Sequence, residues 1–405
     1  MQPGCPRQSF SAGSEGLEKN NTNPPSIYHN CRFLILLIDL LEENRSLCAG
    51  ERLLRSLCQD RFLFVQQRAA HRKQRGKFRA IKEGDANTSF FHARASQRMR
   101  RNNIQVIDMD GARHVTQAAK MAALTAHYTR LLGEMNDASW SFDIGQIYAS
   151  RPAALGPPLI APFTEEEAKT AVAAMNPNSA SGPDGLGPGF YKAAWLTVKS
   201  DIMRFLEAFH DGTTQLESIN RAHIVLLPKK EGATAPGDFR PISLQNCPVK
   251  ILTKILTTRL QHQIQALVDT DQTGFIRGWS ISENFIYATE LIQCCHRRRR
   301  PTIVLKLDFA KAFDSVNWCS LMKIMQARGF PPLWLHWMLE ILQTSCSAVL
   351  VNGSPGPWIN CKHGLRQGDA LSPYLFILVA DLLQCLIKDC GSVWHPLIDA
   401  PCPVL

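Results

Sequence analysis

Apolar residues follow two different spacings along the chain, and the alternation between them predicts a mixed α+β fold. Between residues 249 and 267 they recur at helical spacing, and the side expected to be buried carries Ile251, Leu252, Ile255, Leu256 and Leu260. A second helical stripe follows Pro331 and comprises Trp334, Trp337, Met338 and Ile341. Both segments are predicted to be core helices.

Two more helices are predicted nearer the N-terminus. Thr164 is followed at the third helical position by Glu167, a capping box that predicts a helix running through Met175. Residues 115–132 also show helical spacing, and the apolar face there carries Met121, Leu124 and Tyr128.

Short apolar runs separated by turn residues predict strands. Residues 221–246 contain a strand, a polar loop and a second strand, which places Lys229, Lys230 and Arg240 around one hairpin. Such a hairpin can hold a triphosphate, because Arg offers a planar fork of donors and Lys a point charge. Asn352-Gly353 predicts another hairpin, and residues 104–111 a short strand and turn.

The apolar run from Ile303 to Leu307 predicts a buried strand with Asp308 at its end. An unmatched buried charge is unfavourable by several kcal/mol or more, so we expect Asp308 to meet a metal ion, a basic partner or water. Phe313 follows five residues later and can flank whatever Asp308 holds.

A helix is predicted directly after this stretch. Asp314 or Ser315 is the expected N-cap and Gly329 the expected C′ residue. The apolar positions of this helix are Leu321, Ile324 and Met325.

Composition limits the class of protein. The chain has 405 residues of which 45% are hydrophobic, enough for one large core or two. No apolar run reaches the roughly 18 residues of a membrane span, and the N-terminus lacks the charged-then-apolar order of a signal peptide, so we expect an intracellular protein. The 13 cysteines are scattered without a C-x-x-C pair, which favours reduced thiols over disulfides or zinc.

The net charge of +10 is concentrated in one segment. Residues 61–101 hold 12 Lys and Arg against 2 Asp and Glu, the pattern of a surface that meets phosphates. The alternative is a solvated basic helix face. The candidate phosphate contacts are Arg72, Lys73, Arg75, Lys77, Arg79, Arg98, Arg100 and Arg101.

Outside the predicted core, residues 1–30 are rich in Gly, Ser, Asn and Pro and are expected to be a disordered tail. Residues 31–150 are predicted to be a largely helical, basic region, and the Pro- and Ala-rich residues 151–163 a linker. Residues 90–92, Phe-Phe-His, can stack on unpaired bases or pack on a neighbouring helix. Residues 297–300 are either a contact to a duplex backbone or an exposed loop.

Several ordered motifs resemble the reverse transcriptases of plant LINE-type (non-LTR) retrotransposons. The resemblance is carried by LDFAKAFDSVNW (307–318), GPDG (182–185), RPISL (240–244), QTGFIRGWSISENF (272–285) and HGLRQGDALSP (363–373). Residues 84–104 are similar to the segment that precedes the polymerase in these proteins. Two departures occur: Trp279 stands where relatives carry Arg, and Ala370 where they carry Pro.

The resemblance implies a right-hand polymerase, with fingers over 164–300 and a partial palm over 301–405. It implies that Asp308 is catalytic and a Mg²⁺ ligand. It also implies that the incoming nucleotide is contacted by Arg240, Lys229, Phe313, Gln367 and Gly368. Arg277 would replace the cation missing at Trp279. The implied partners are an RNA template, a DNA primer and deoxynucleoside triphosphates.

One part of the family's catalytic set is missing from the sequence. Two divalent ions need more than one carboxylate, and relatives supply the others from a Tyr/Phe-Ala-Asp-Asp motif that does not follow Asp308 here. Asp389 and Asp399 are single carboxylates in another context. We therefore expect a reverse transcriptase segment without activity of its own.

Two other interpretations stay open, a nucleic-acid-binding module and an inactive relict. A nuclear location suits such an element, and residues 72–77 (RKQRGK) could be an import signal.

Overall fold

The computed structural model describes residues 101–134, 143–151, 153–154, 156–269, 271–276, 281–304 and 306–389, with a few helical positions before them. Two compact units divide the chain, Met1–Arg100 and Arg101–Leu405. In the first unit the described residues are helical and exposed: Ser56, Gln59, Asp60, Ser96, Gln97, Met99 and Arg100. Outside the described residues lie the predicted tail, residues 90–92, Arg277 and most of the predicted phosphate contacts, namely Arg72, Lys73, Arg75, Lys77, Arg79 and Arg98.

The second unit begins with a short hairpin and a helix. The hairpin consists of β1 (Ile107–Met109) and β2 (Ala112–His114), and the helix is α1 (Gln117–Tyr128), continued by a π-helical turn (Thr129–Gly133). Exposed Arg101 lies just before them. The predicted strand, turn and helix are confirmed. The division between the two units falls after Arg100, within the region predicted to extend to residue 150.

The elements that follow occur in this order along the chain: α2 (Ile144–Tyr148), α3 (Gly156–Ile160), α4 (Glu165–Ala174), α5 (Pro188–Ala193), α6 (Trp195–His210), β3 (Arg221–Pro228), β4 (Phe239–Gln245), α7 (Cys247–Leu267), α8 (Ile281–Arg297), α9 (Trp318–Ala327), α10 (Pro332–Gln343), β5 (Cys346–Val351), β6 (Ser354–Asn360) and α11 (Ser372–Asp389).

The larger sheet has the strand order β4-β3-β5-β6. Both predicted hairpins are present, β3 with β4 and β5 with β6, and each is antiparallel. Strands β3 and β5 pair in parallel and join the two hairpins, with Ile224 opposite Val349. The sheet therefore connects a hairpin from the predicted fingers with one from the predicted palm. The Asn352-Gly353 turn has positive φ at both residues, as a type I′ turn requires.

One face of the sheet is buried against α1. Ile224, Leu226 and Val349 from the sheet form a cluster with Leu124 and Tyr128 of α1. Residues 104–128 are thus part of the same core as the strands.

The main core lies among the helices. The stripes predicted on α7 and α10 are buried, and Trp334 and Trp337 have no exposed surface. Phe163 and Phe209 pack against Trp337, with ring centroids 5.4 and 5.7 Å from it. Burial of such large side chains supplies much of the hydrophobic stabilisation.

A buried arginine fixes the predicted linker in this core. Arg259 of α7 donates to the Glu167 carboxylate at 2.8 and 2.9 Å and to the carbonyl oxygens of Leu159, Ala161 and Pro162. Glu167 also forms the predicted capping box with Thr164, which is confirmed. Burial alone would raise the pKa of Glu167, but the hydrogen bonds that its carboxylate accepts from Arg259 and Thr164 outweigh burial, so the pKa lies below its usual value. Residues 159–163 are therefore anchored in the core.

The strand predicted at Ile303–Leu307 is wrong. Its described residues have no regular secondary structure, and Ile303, Val304 and Leu307 are exposed. An apolar run forms a buried strand only where it can pair with a neighbouring strand and pack against another layer of the fold. Among the described residues the large sheet ends at β4 and β6 instead.

The predicted N-cap of α9 is also wrong. Neither Asp314 nor Ser315 caps the helix, because Asn317 accepts the backbone N–H of Ser320 at 2.9 Å. The predicted end is confirmed, since Gly329 follows the C-cap with φ +74°.

The cysteines that the structure describes are free thiols, as predicted. Among the described residues, no helix has the length and apolar content needed to cross a bilayer.

Candidate functional site

The loop of residues 363–369, hereafter the glutamine loop, is docked on the turn that precedes α9. The backbone N–H groups of Gly364 and Leu365 donate to the carbonyl oxygens of Val316 and Phe313 at 2.8 and 2.7 Å. Trp318 donates through Nε1 to the carbonyl oxygen of Gly364 at 2.8 Å. Two segments about fifty residues apart in sequence thus form one rigid junction.

Glycine is required at the centre of this junction. Gly364 has φ +83°, and a Cβ atom placed on it would lie 2.8 Å from the backbone oxygen of Asp314. An L side chain would meet both backbone strain and a clash.

The other end of the glutamine loop contacts β4. Ser243 donates its backbone N–H to the carbonyl oxygen of Gln367 at 2.8 Å, and Gln245 donates through Nε2 to Asp369 at 2.9 Å. Gly368 has φ +105°, and a Cβ atom there would lie 3.3 Å from the oxygen of Ser243. Gln367 and Gly368 are therefore held beside the strand that carries Arg240.

Arg366 anchors the glutamine loop to the residues at the start of β3 and β5. Its guanidinium donates to both the side-chain and the backbone oxygen of Asn220 and to the carbonyl oxygen of Cys346. Asn220 in turn donates to the carbonyl oxygen of Ile341 at 2.7 Å. The structure assigns this arginine of the RQGD motif a positioning contact that sequence reasoning missed.

A pocket lies under the junction. Its polar lining includes Tyr128, Ser243, Asp314, His363 and Gln367, and its apolar lining includes Met338, Ile341 and Leu375. The Nδ1 atom of buried His363 has no hydrogen-bond partner among the described residues.

Asp314 is the buried acid of this pocket, with 8% of its surface exposed. Burial raises its pKa to about 6, although Lys311, Lys229 and a hydrogen bond from the Gln367 side chain favour the charged form. Burial, and then the proximity of Asp314, raise the pKa of the Tyr128 hydroxyl above its usual value of 10.0.

From the sequence, Asp314 was predicted only as a possible helix cap and Tyr128 only as a core residue. A polar residue within the apolar stretch AFDSV was the available signal for Asp314.

The three predicted residues of the β3–β4 hairpin differ in whether their charged groups have a partner within the fold. Lys229 is exposed and donates through Nζ to the carbonyl oxygen of Gly237 at 2.9 Å. Lys230 forms an ion pair with Asp238 at 2.8 Å. Arg240 is exposed on β4 opposite Leu227, and no partner for its guanidinium is found among the described residues.

Phe313 is half-buried, and its ring stacks on Phe376 of α11 at 5.1 Å. Its carbonyl oxygen also accepts the Leu365 N–H. The structure thus brings Phe313, Gln367 and Gly368 together at the junction.

Asp308 is exposed in a segment without regular structure and is not held by the junction. No group of three or more His, Cys, Asp or Glu that could hold a metal ion occurs among the described residues. The role of Asp308 as a Mg²⁺ ligand, which the resemblance implies, therefore stays a prediction.

The family of this segment follows from comparison with known proteins. Residues 227–395 match the family model described as reverse transcriptase (RNA-dependent DNA polymerase). This segment, which contains both β4 and the glutamine loop, is a reverse transcriptase domain.

The relatives include proteins of mobile elements. The chain is 31% identical over 228 residues to the transposon TX1 uncharacterized 149 kDa protein of Xenopus laevis, covering 56% of this chain and 17% of that protein. It is 30% identical over 231 residues to the retrovirus-related Pol polyprotein from type-2 retrotransposable element R2DM of Drosophila melanogaster, covering 57% and 21%.

A shorter match is to a plant sequence. An uncharacterized mitochondrial protein of Arabidopsis thaliana is 49% identical over 39 residues, covering 10% of this chain and 32% of that protein. The chain thus spans about a fifth of the length of the two mobile-element relatives.

Proposed function

We propose that this chain is the fingers and part of the palm of an RNA-directed DNA polymerase from a plant LINE-type (non-LTR) retrotransposon. The observation that carries the proposal is the contact between the glutamine loop and β4. The carbonyl oxygen of Gln367 accepts a hydrogen bond from the strand bearing Arg240, and Gly368 lies beside that strand, within the segment that matches reverse transcriptases. The plant source is supported by the 49% identity to the short Arabidopsis sequence.

In the proposed complex the incoming deoxynucleoside triphosphate lies between the hairpin and the glutamine loop. Exposed Arg240 binds the phosphates through its planar fork, and Lys229 adds a second positive charge. Gln367 contacts the sugar. Gly368 allows close approach of the nascent base pair, and Phe313 borders the site.

Catalysis in such a polymerase uses two Mg²⁺ ions to activate the primer hydroxyl and hold the pyrophosphate. Asp308 is the candidate ligand in this chain. Because two divalent ions need more than one carboxylate, the proposal includes that the chain alone holds the ions poorly and does not polymerise. An RNA template and a DNA primer are the proposed partners, and the nucleus is the proposed location.

A nucleic-acid-binding module without chemistry is the second candidate. It is favoured by the 12 Lys and Arg against 2 Asp and Glu in residues 61–101. Such a module would bind RNA with steep salt dependence but would not respond to a complementary nucleotide.

A primer-extension and binding assay separates these functions. With an RNA template, a DNA primer and Mg²⁺, we expect no extension by the chain. A complementary deoxynucleoside triphosphate should tighten primer–template binding, because it bridges the hairpin and the nascent pair. A mismatched nucleotide should not.

Substitution identifies the residues responsible. Arg240→Ala should abolish the nucleotide-dependent tightening, and Arg204→Ala, which removes an exposed arginine paired with Asp201 on α6, should preserve it. Tightening that is absent in the wild-type chain would overturn the polymerase assignment. Template-dependent synthesis that is lost in Asp308→Ala would overturn the proposed inactivity.

A further inference from the structure

The face of the large sheet that points away from α1 carries an exposed aromatic cluster. Alternate residues of β3 point to this face, so Arg221 and His223 lie there while Ile224 faces α1. In the register of the sheet, His223 is opposite Ala348, and Ala348 is opposite Trp358 of β6. The side chains of His223 and Trp358 therefore meet above Ala348.

We call Arg221, His223 and Trp358 the Trp358 platform. The His223 and Trp358 rings are stacked, with centroids 5.7 Å apart and planes inclined by 14°. The Arg221 guanidinium carbon lies 5.3 Å from the Trp358 ring centroid. These contacts fix the indole in place although 42% of its surface is exposed.

The electrostatics of the platform favour an anionic, aromatic ligand. Burial lowers the pKa of His223, so its imidazole is neutral at neutral pH and can stack on Trp358 without repelling Arg221. Arg221 is exposed and keeps its charge available to solvent. A flat apolar surface beside a fixed cation is the arrangement that receives a base and its phosphate.

The same sheet face extends to the proposed nucleotide site. Leu227 lies on it, and Arg240 is opposite Leu227 in the register of β3 and β4. At about 3.3 Å per residue, Arg221 and Leu227 are roughly 20 Å apart along β3. A single strand crossing this face could therefore contact a cation at each end.

We propose that the Trp358 platform binds an unpaired RNA strand, with a base packed on the exposed indole and a phosphate at Arg221. The inference rests on the proposed function, in which that strand is the template on its way to the nucleotide site. Unpaired bases are required because bases within a duplex are already stacked on each other and cannot reach a tryptophan.

The test compares single-stranded RNA with an RNA–DNA duplex by fluorescence anisotropy across salt concentrations. Trp358→Leu removes the aromatic face and keeps an apolar side chain. We expect it to weaken single-strand binding by about 5- to 150-fold, the range for loss of one stacked base, and to leave duplex binding unchanged. The single-strand affinity of Trp358→Phe should lie between that of the wild type and that of Trp358→Leu. Arg221→Gln should reduce the salt slope for the single strand by about one.

Phe190→Leu is the matched control, because Phe190 is similarly exposed, at 44%, on α5. It should bind as the wild type does, and all variants should show the wild-type melting temperature.

Unchanged single-strand binding by Trp358→Leu, or equal losses for single strand and duplex, would overturn the platform. If the platform binds a protein instead of RNA, single-strand binding by Trp358→Leu should be unchanged. A wild-type chain that responds to a complementary nucleotide while Trp358→Leu binds normally would overturn this inference and leave the proposed function intact. Failure of the nucleotide response alone would overturn the proposed function.

Discussion

Asp314 and Asp308 are six residues apart and occupy opposite environments. Asp308 is exposed, whereas Asp314 is buried in the pocket and accepts a hydrogen bond from Gln367. Burial disfavours the carboxylate form of Asp314 more than its neighbours favour it. Residues 308–314 thus combine a solvated acid with a buried acid that keeps its proton up to about pH 6.

The free energy of unfolding should depend on pH because Asp314 is buried. The folded-state pKa of Asp314, about 6, lies above its ordinary value of 3.8. Its contribution to stability is therefore fully present below about pH 4 and is lost as the pH rises through 6.

We predict that Asp314→Asn, which stays neutral and can still accept from Gln367, is more stable than the wild type by about 1 to 3 kcal/mol at pH 7. The difference should shrink towards zero near pH 4. Urea unfolding at several pH values measures it. The control Asp201→Asn changes an exposed acid on α6 and should show no such trend. A difference for Asp314→Asn that is constant from pH 4 to 7 would contradict the assigned burial.

The residue types at the site could be predicted, but their environments could not. The motif RQGD identified Gln367 and Gly368, and the structure places both against β4. The burial of Asp314 depends on the glutamine loop about fifty residues away, so no local spacing reveals it. The same holds for Arg366, whose partners Asn220 and Cys346 belong to other elements.

At the scale of elements, local signals predicted helices and hairpins well. The Thr164 capping box, the apolar stripe of α10 and the Asn352-Gly353 turn depend on residues close in sequence, and each is confirmed. The strand at 303–307 depends on a partner strand elsewhere in the chain, which the apolar run itself cannot specify. Asn317 was missed as a cap because Asp, Ser and Asn are all good N-caps.

The junction between the glutamine loop and the turn before α9 should be a stability determinant. Gly364→Ala places an L residue at φ +83° and a Cβ atom 2.8 Å from a backbone oxygen. We predict a loss of about 3 kcal/mol or more in the free energy of unfolding.

Gly232→Ala is the control that separates the cost of backbone strain from the cost of the clash at Gly364. Gly232 has φ +70°, but nothing lies within 4 Å of a Cβ atom placed there. Strain alone should cost about 1 kcal/mol. Urea unfolding of both variants tests the comparison, and equal losses would show that the close approach at Gly364 is not a constraint.

For the whole molecule, the described structure leaves apolar surface uncovered on two segments. Residues 303–309 expose Ile303, Val304, Leu307 and Phe309, and α8 exposes Phe285, Ile286 and Tyr287. Large apolar patches promote association between molecules. The described residues therefore offer apolar surface through which molecules of this chain can associate.

We predict that the isolated chain self-associates through this surface. Ile303 is 90% exposed, so Ile303→Gln removes an apolar contact between molecules without removing one within the fold. Association should weaken by about five- to tenfold, which corresponds to about 1 kcal/mol of lost contact. Leu196→Gln is the matched control, since Leu196 is 84% exposed on α6, outside both segments, and should weaken association less. Sedimentation velocity over a range of concentrations measures the difference. A melting temperature several degrees lower in Ile303→Gln would contradict the exposure of this segment, because a side chain that packs on nothing cannot stabilise the fold.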